Sequence, residues 1–200
     1  SAEANVMPAG VISDSVRVTT VNDSGFDVSW VSEGAVTSSV RYGLTPDNLS
    51  LIAYDIRGAE TSNRTHHATL AKQGDAWHYY DIVSGGVVDN NNGVHYIYSF
   101  GPFLTNRSPI DTIWGRVVAS DGMPLNGAVV YMTLKVMSGS NVLKTTAPLS
   151  CISGNEALLP GGWGFEMANL REGDLSAYST YSDTGDLVEL SIQGNDSVWG

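Results

Sequence analysis

The chain has 200 residues, a net charge of −11 and only 16% charged side chains, enough for one or two cored domains. Its acidity excludes nucleic acid, which needs a basic patch to displace counterions, and an anionic membrane surface. No apolar run of about 18 residues is present to span a bilayer. The one cysteine, Cys151, excludes an internal disulfide and a cysteine-based zinc site.

Glycine numbers 22 and accompanies much Ser, Thr and Asn, a mix that suits short strands and turns better than helices. The chain begins without a charged and apolar leader, so any secretion signal is expected to have been removed. Residues 1–14 form an arm in which Ala2, Ala4 and Val6 alternate with Glu3 and Asn5. That pattern fits a short strand with nothing of its own to bury against, and so a strand donated to a sheet edge of a neighbouring copy. An arm folded back on its own domain is the alternative.

From residue 15 the apolar period is two. Phe26, Val28 and Trp30 share a face, as do Val40 and Tyr42, Ala68 and Leu70, then His78, Tyr80 and Ile82, then Tyr96 and Tyr98. Turn clusters separate these runs: Asn22–Gly25, Thr45–Asn48, Gly85-Gly86 and Asp89–Gly93. Short half-buried strands at this spacing predict a β-sandwich over 15–102. Pro102 and Pro109 then break the alternation, marking 103–111 as a linker. A second sandwich is expected over 112–200, with strands at 113–120, 128–136, 142–153, 164–170, 175–182 and 187–194. The fold class read from the sequence is therefore all-β, with two tandem immunoglobulin-like β-sandwich domains.

Residues 15–102 resemble a fibronectin type III domain of the kind found in prokaryotic surface proteins and ahead of purple acid phosphatase catalytic domains. The resemblance rests on Phe26-x-Val28-x-Trp30, the stretch from Ser38 to Pro46, His66 to Leu70, Tyr79 to Gly85 and Tyr98 to Pro102. His78 stands where that family has a corner tyrosine. Residues 112–194 resemble the carboxypeptidase regulatory-like or transthyretin-like sandwiches through Trp114 to Tyr131 and Gly164 to Leu170. These resemblances imply stalks, spacers and adhesion modules, and no cofactor.

Residues that could carry chemistry are few. His66 and His67 are consecutive on a strand and point to opposite faces, so they do not share an ion. Asp89 to Gly93 is oxygen-rich but lacks the spaced carboxylates of a calcium loop and reads as a hairpin loop. No nucleophile elbow, phosphate loop or HExxH occurs, and a non-catalytic protein is expected. Trp77, Trp163 and Trp199 fall outside clear core positions and are candidate ligand or interface aromatics. Asn22, Asn48, Asn63, Asn106 and Asn195 begin Asn-X-Ser/Thr triplets, about twice the chance number, and are candidate glycosylation sites. The reading that joins these features is an extracellular or cell-surface structural protein, a self-assembling subunit of a filament or layer that forms homo-oligomers by strand addition. A carbohydrate- or ligand-binding adhesion module and the accessory domains of a secreted enzyme are the rival readings.

Overall fold

The computed structural model describes residues 10–99, 111–155, 159–181 and 185–194. The chain divides into two compact units, Ser1–Arg17 with Val28–Phe100 and Val18–Asp27 with Gly101–Gly200. The strand pairs of the four-, two- and five-stranded sheets are antiparallel, and among the described residues the one helical element is a 3₁₀ turn, Met167–Asn169. The fold is all-β and sandwich-type, as the period-two alternation requires.

Eight strands come first: β1 Arg17–Thr19, β2 Gly25–Val36, β3 Ser38–Gly43, β4 Leu51–Tyr54, β5 Asn63–Ala71, β6 Trp77–Ser84, β7 Val87–Asp89 and β8 Tyr96–Ser99. They form a three-stranded sheet in the order β1-β2-β5 and a five-stranded one in the order β4-β3-β6-β7, with β8 also on β6. Val28, Trp30, Val40, Ala68, Leu70 and Ile82 are fully buried in the first unit. β2 departs from half-burial: Gly25 to Ser32 are all buried, the polar Ser29 and Ser32 among them.

The β6–β7 connection is a two-residue hairpin. Ser84 pairs with Val87, and Gly85 and Gly86 take φ values of 54° and 84°, the positive pair a tight twisted turn needs. The Asp89–Gly93 loop differs from its expected form. β7 and β8 both lie antiparallel along β6, with Ile82 opposite Asp89 and Tyr80 opposite Tyr96. The oxygen-rich loop is thus an excursion within one edge strand, not a hairpin between two. Asn91, Asn92 and Gly93 reach positive φ, which asparagine's short polar side chain and glycine's lack of a Cβ allow. The excursion lies opposite Asp81, whose Oδ1 is 2.7 Å from His95 Nδ1.

His78 is buried and clamps the loop before β6. Its Nε2 accepts from Gln73 N at 2.9 Å and its Nδ1 lies 3.0 Å from the Ala76 carbonyl oxygen. The imidazole thus ties the loop before β6 to the strand.

The second unit contains β9 Thr112–Arg116, β10 Val129–Ser138, β11 Asn141–Thr145, β12 Leu149–Ile152, β13 Gly162–Glu166 and β14 Leu187–Gln193. β10 is central. One side carries β14 along seven residues; the other carries β12 at the start and β11 at the end. The expected strand 142–153 is thereby split at Thr146–Pro148, where Thr146 Oγ1 accepts from Leu134 N. β9 pairs with β13, and Phe165 of β13 and Val117 just beyond β9 meet Val130, Met132, Leu134 and Leu149 in the core. Three further expectations fail in part. The strand expected over 113–120 ends at Arg116, beyond which Val118 makes only an isolated bridge to Pro124. Residues 164–170 are strand only to Glu166, whose carboxylate caps the 3₁₀ turn through Ala168 N. Residues 175–181 form no strand: Asp174 and Glu172 collect the nearby backbone N–H groups into turns, leaving one isolated bridge from Arg171 to Tyr178.

Residues 18–27 are held within the second unit by polar bonds. Thr19 Oγ1 lies 2.5 Å from Ser150 Oγ, Thr20 N donates to the Pro148 carbonyl, and buried Arg171 Nε donates to the Val21 carbonyl at 3.2 Å.

Candidate functional site

Three places hold more than ordinary packing. The first is a buried polar array in the first unit. Asp55, just beyond β4, accepts from Arg57 Nε and a terminal guanidinium nitrogen at 2.8 and 2.9 Å and from His67 N at 3.3 Å. Its Oδ2 lies 3.7 Å from His66 Nδ1. On the other side of that ring, Ser32 Oγ is 2.9 Å from Nε2, and Trp30 stacks on the imidazole at 5.1 Å between centroids. Burial pushes the Asp55 carboxyl up, but the paired Arg57 bonds outweigh it and hold the group well below the usual carboxylate range. Burial also lowers His66 against the opposing pull of Asp55, favouring the neutral ring.

Serine, histidine and aspartate in this order of contact have the outline of a hydrolytic triad. The surroundings do not fit that use. Ser32 and His66 have no exposed surface and Asp55 is 3% exposed, while Ser32 Oγ donates to the Gly34 carbonyl at 2.7 Å. A nucleophile needs reach to a substrate carbonyl; this hydroxyl is sealed and occupied. The array is a buried polar core centred on Asp55, in which His66 Nδ1 and Arg57 Nη1 are left without a hydrogen-bond partner among the described residues. Spacing gave no hint of it, because Ser32, Asp55 and His66 lie far apart in the chain.

The second place is β14. Val188, Leu190 and Ile192 sit opposite Leu134, Met132 and Val130 on β10, so they share the core-facing side of the sheet. Their β10 neighbours are buried, yet these three remain 41%, 41% and 52% exposed. Among the described residues no strand pairs with the far edge of β14, and the β9–β13 sheet that covers β10 does not cover this row. Leu187 on the outer side is also exposed, and the one charge on the strand, Glu189, is bound to Lys135 at 3.0 Å. A bare, apolar strand edge is a template for pairing with another chain. The sequence marks the strand; nothing local to 187–194 marks it as an edge.

The third place is a groove of about 510 Å³ along β9–β13, lined by Trp114, Trp163, Leu159, Thr112 and Glu166 with Gly115, Gly162 and Gly164 between them. Trp114 is 70% exposed. Trp163 lies over Gly115, where a Cβ would come within 2.5 Å of its ring. A side chain there would displace the indole.

The residues singled out by sequence fall as follows. Trp77 is exposed at the start of β6, and Trp163 is half-buried against the second core and lines the groove. Trp114, not among the aromatics expected from the sequence, is a wall of that groove. Asn48 is exposed in its turn, Asn63 is half-buried at the start of β5, and Asn22 spends its carboxamide on Ser24 N, Gly25 N and the Thr20 carbonyl. Ala2, Ala4, Val6, Asn106, Asn195 and Trp199 lie outside the described residues. The later part of the arm is engaged with its own chain. Ile12 N donates to the Val31 carbonyl, Glu33 N donates to the Gly10 carbonyl, and Val11 bridges Ser32. Cys151 is half-buried opposite Val130. Among the described residues no three His, Cys, Asp or Glu side chains converge as metal ligands.

Compared with models of known protein families and with curated proteins, the chain matches none.

Proposed function

We propose that this chain is a non-catalytic structural protein of the extracellular space or cell surface that assembles with copies of itself by adding strands at sheet edges. The observation that carries the reading is the bare edge of β14, with Val188, Leu190 and Ile192 facing the core side of the sheet and half open to water. Burying that row on association removes apolar area worth about 25 cal/mol per Å² before the entropy of association is subtracted. A polymer needs two contacts per subunit. The first unit offers a second apolar surface, the outer face of its five-stranded sheet, where Ile52, Tyr54, Trp77 and Ile97 are exposed. The scarcity of charge, the candidate sequons and the fibronectin type III-like and regulatory-like resemblances support the extracellular setting.

The test is sedimentation and electron microscopy of the purified chain beside Leu190→Lys. A charge on that row opposes pairing without entering the core, so the variant is expected to stay folded and disperse. A parent chain that is monomeric at every concentration, or a variant that assembles like the parent, would refute the reading.

The groove at Trp114 favours a second reading, a carbohydrate-binding module, because an exposed indole beside a hydroxyl and a carboxylate suits the faces and rims of a sugar ring. Glycan binding lost in Trp114→Ala and kept in Trp77→Ala would support it; no binding to any glycan would discard it.

A further inference from the structure

We infer that the partner of β14 is β14 of a second copy, paired antiparallel about a two-fold axis through Leu190. The inference rests on the self-assembly reading above and adds the occupant and the register. The strand reads Leu-Val-Glu-Leu-Ser-Ile-Gln from 187 to 193. With Leu190 opposite its own mate, Val188 meets the partner's Ile192 on the core-facing side and Ile192 meets the partner's Val188. That makes one unbroken apolar row continuous with Leu134, Met132 and Val130 in each copy. On the other side Glu189 meets the partner's Ser191, whose hydroxyl donates to a carboxylate.

Competing registers fit less well. A shift by one residue turns one copy's apolar row to the wrong face. A shift by two in one direction sets Glu189 against Glu189, like charges directly opposed. The same shift in the other direction leaves Leu187 and Val188 unpaired. The N-terminal arm is the rival occupant, but its residues 10–12 already bond to β2 of their own chain. An isologous pair is closed, so β14 builds a two-fold dimer, and growth beyond it uses another surface.

Cysteine cross-linking reads the register. In a Cys151→Ser background, Leu190→Cys, Val188→Cys and Ile192→Cys are each oxidised mildly, alone and in pairs. Directly opposed Cβ atoms lie about 4.5–5.5 Å apart, close enough for a disulfide after small adjustment. Leu190→Cys alone is expected to form a covalent dimer. Val188→Cys and Ile192→Cys are each expected to cross-link about tenfold less alone than when mixed together, because their opposed pairs are mixed ones.

Sedimentation of the same reduced samples, with circular dichroism matching the parent, separates the two possible failures. Association without a Leu190→Cys dimer overturns the two-fold register and leaves the self-assembly reading standing. No association at millimolar concentration overturns both. Cross-links of Leu190→Cys to a cysteine placed at Ala4 would assign the edge to the arm instead and likewise overturn the β14 pair.

Discussion

The buried array of the first unit and the open row of the second are built from the same alternation and end in opposite conditions. In the first, the polar Ser32, Asp55 and His66 are sealed from water, with His66 between the serine hydroxyl and the carboxylate. In the second, the apolar Val188, Leu190 and Ile192 share a face with a finished core and remain wet. A period of two assigns side chains to a common face. Whether that face is covered depends on what the rest of the chain lays over it, and here polar residues drew cover while apolar ones did not. Exposed apolar groups in a row mark a place for something else.

The contrast is sharpest at Asp55. Asp55→Ala removes all three hydrogen bonds that Arg57 donates to it and leaves the largely buried guanidinium with the Thr65 carbonyl but no counter-charge, a loss expected to cost about 3–5 kcal/mol because a buried ion pair is broken on one side. Urea denaturation followed through the first unit's tryptophans would show it. A midpoint unchanged from the parent would mean that the array is incidental.

The next effect compares two residues that face each other across β10 and β14. Met132 and Leu190 are register partners on one face, one fully buried and the other 41% exposed. Met132→Ala is expected to cost about 2–5 kcal/mol through lost contacts and a cavity. Leu190→Ala is expected to cost under about 1 kcal/mol in the dispersed monomer, since much of its surface is never taken from water. Equal costs would show that β14 is covered in solution.

Acid separates the units more gently. His66 and His78, both in the first unit, are held in the neutral form chiefly by burial. The unfolded chain takes up protons below about pH 6.5 that the fold refuses, so stability falls as pH drops below that point. Each refused proton costs about 1.4 kcal/mol per pH unit. Asp55 acts in the same direction but later: its depressed carboxyl contributes stability above the unfolded carboxylate range and loses it only as pH falls through the still lower folded value. Melting of the first unit is expected to drop between pH 7 and pH 5 while the second holds. His66→Gln should flatten that slope, and a slope identical in the variant would assign the effect elsewhere.

Much of this fold was legible in the sequence. Tyr80 and Ile82, or Val130 and Met132, announce their strands because the alternation is local. What was not legible depends on partners distant in the chain. The split of 142–153 depends on Thr146 reaching Leu134. The collinear course of β7 and β8 depends on β6 accepting both along one side. The array of Ser32, Asp55 and His66 is assembled from three separate segments, and the bareness of β14 is a property of the sheet opposite it. Of the aromatics chosen by sequence, Trp163 was placed at a groove while its exposed neighbour Trp114 was not picked out, because alternation alone does not tell which face of β9 is outside.

The smallest effect tests the first unit's outer face. Trp77 begins β6 opposite Ser99 and is 57% exposed, whereas Trp30 has no exposed surface and stacks on His66. Trp77→Ala is therefore expected to shift monomer stability by no more than about 0.5 kcal/mol, the range of ordinary surface changes. Trp30→Ala removes a fully buried indole and should cost about 3–5 kcal/mol. If Trp77→Ala leaves the urea midpoint in place yet weakens assembly beyond the β14 dimer, its ring belongs to the second contact that a polymer requires. A large loss of monomer stability instead would place Trp77 in the core and remove that face from the set of docking surfaces.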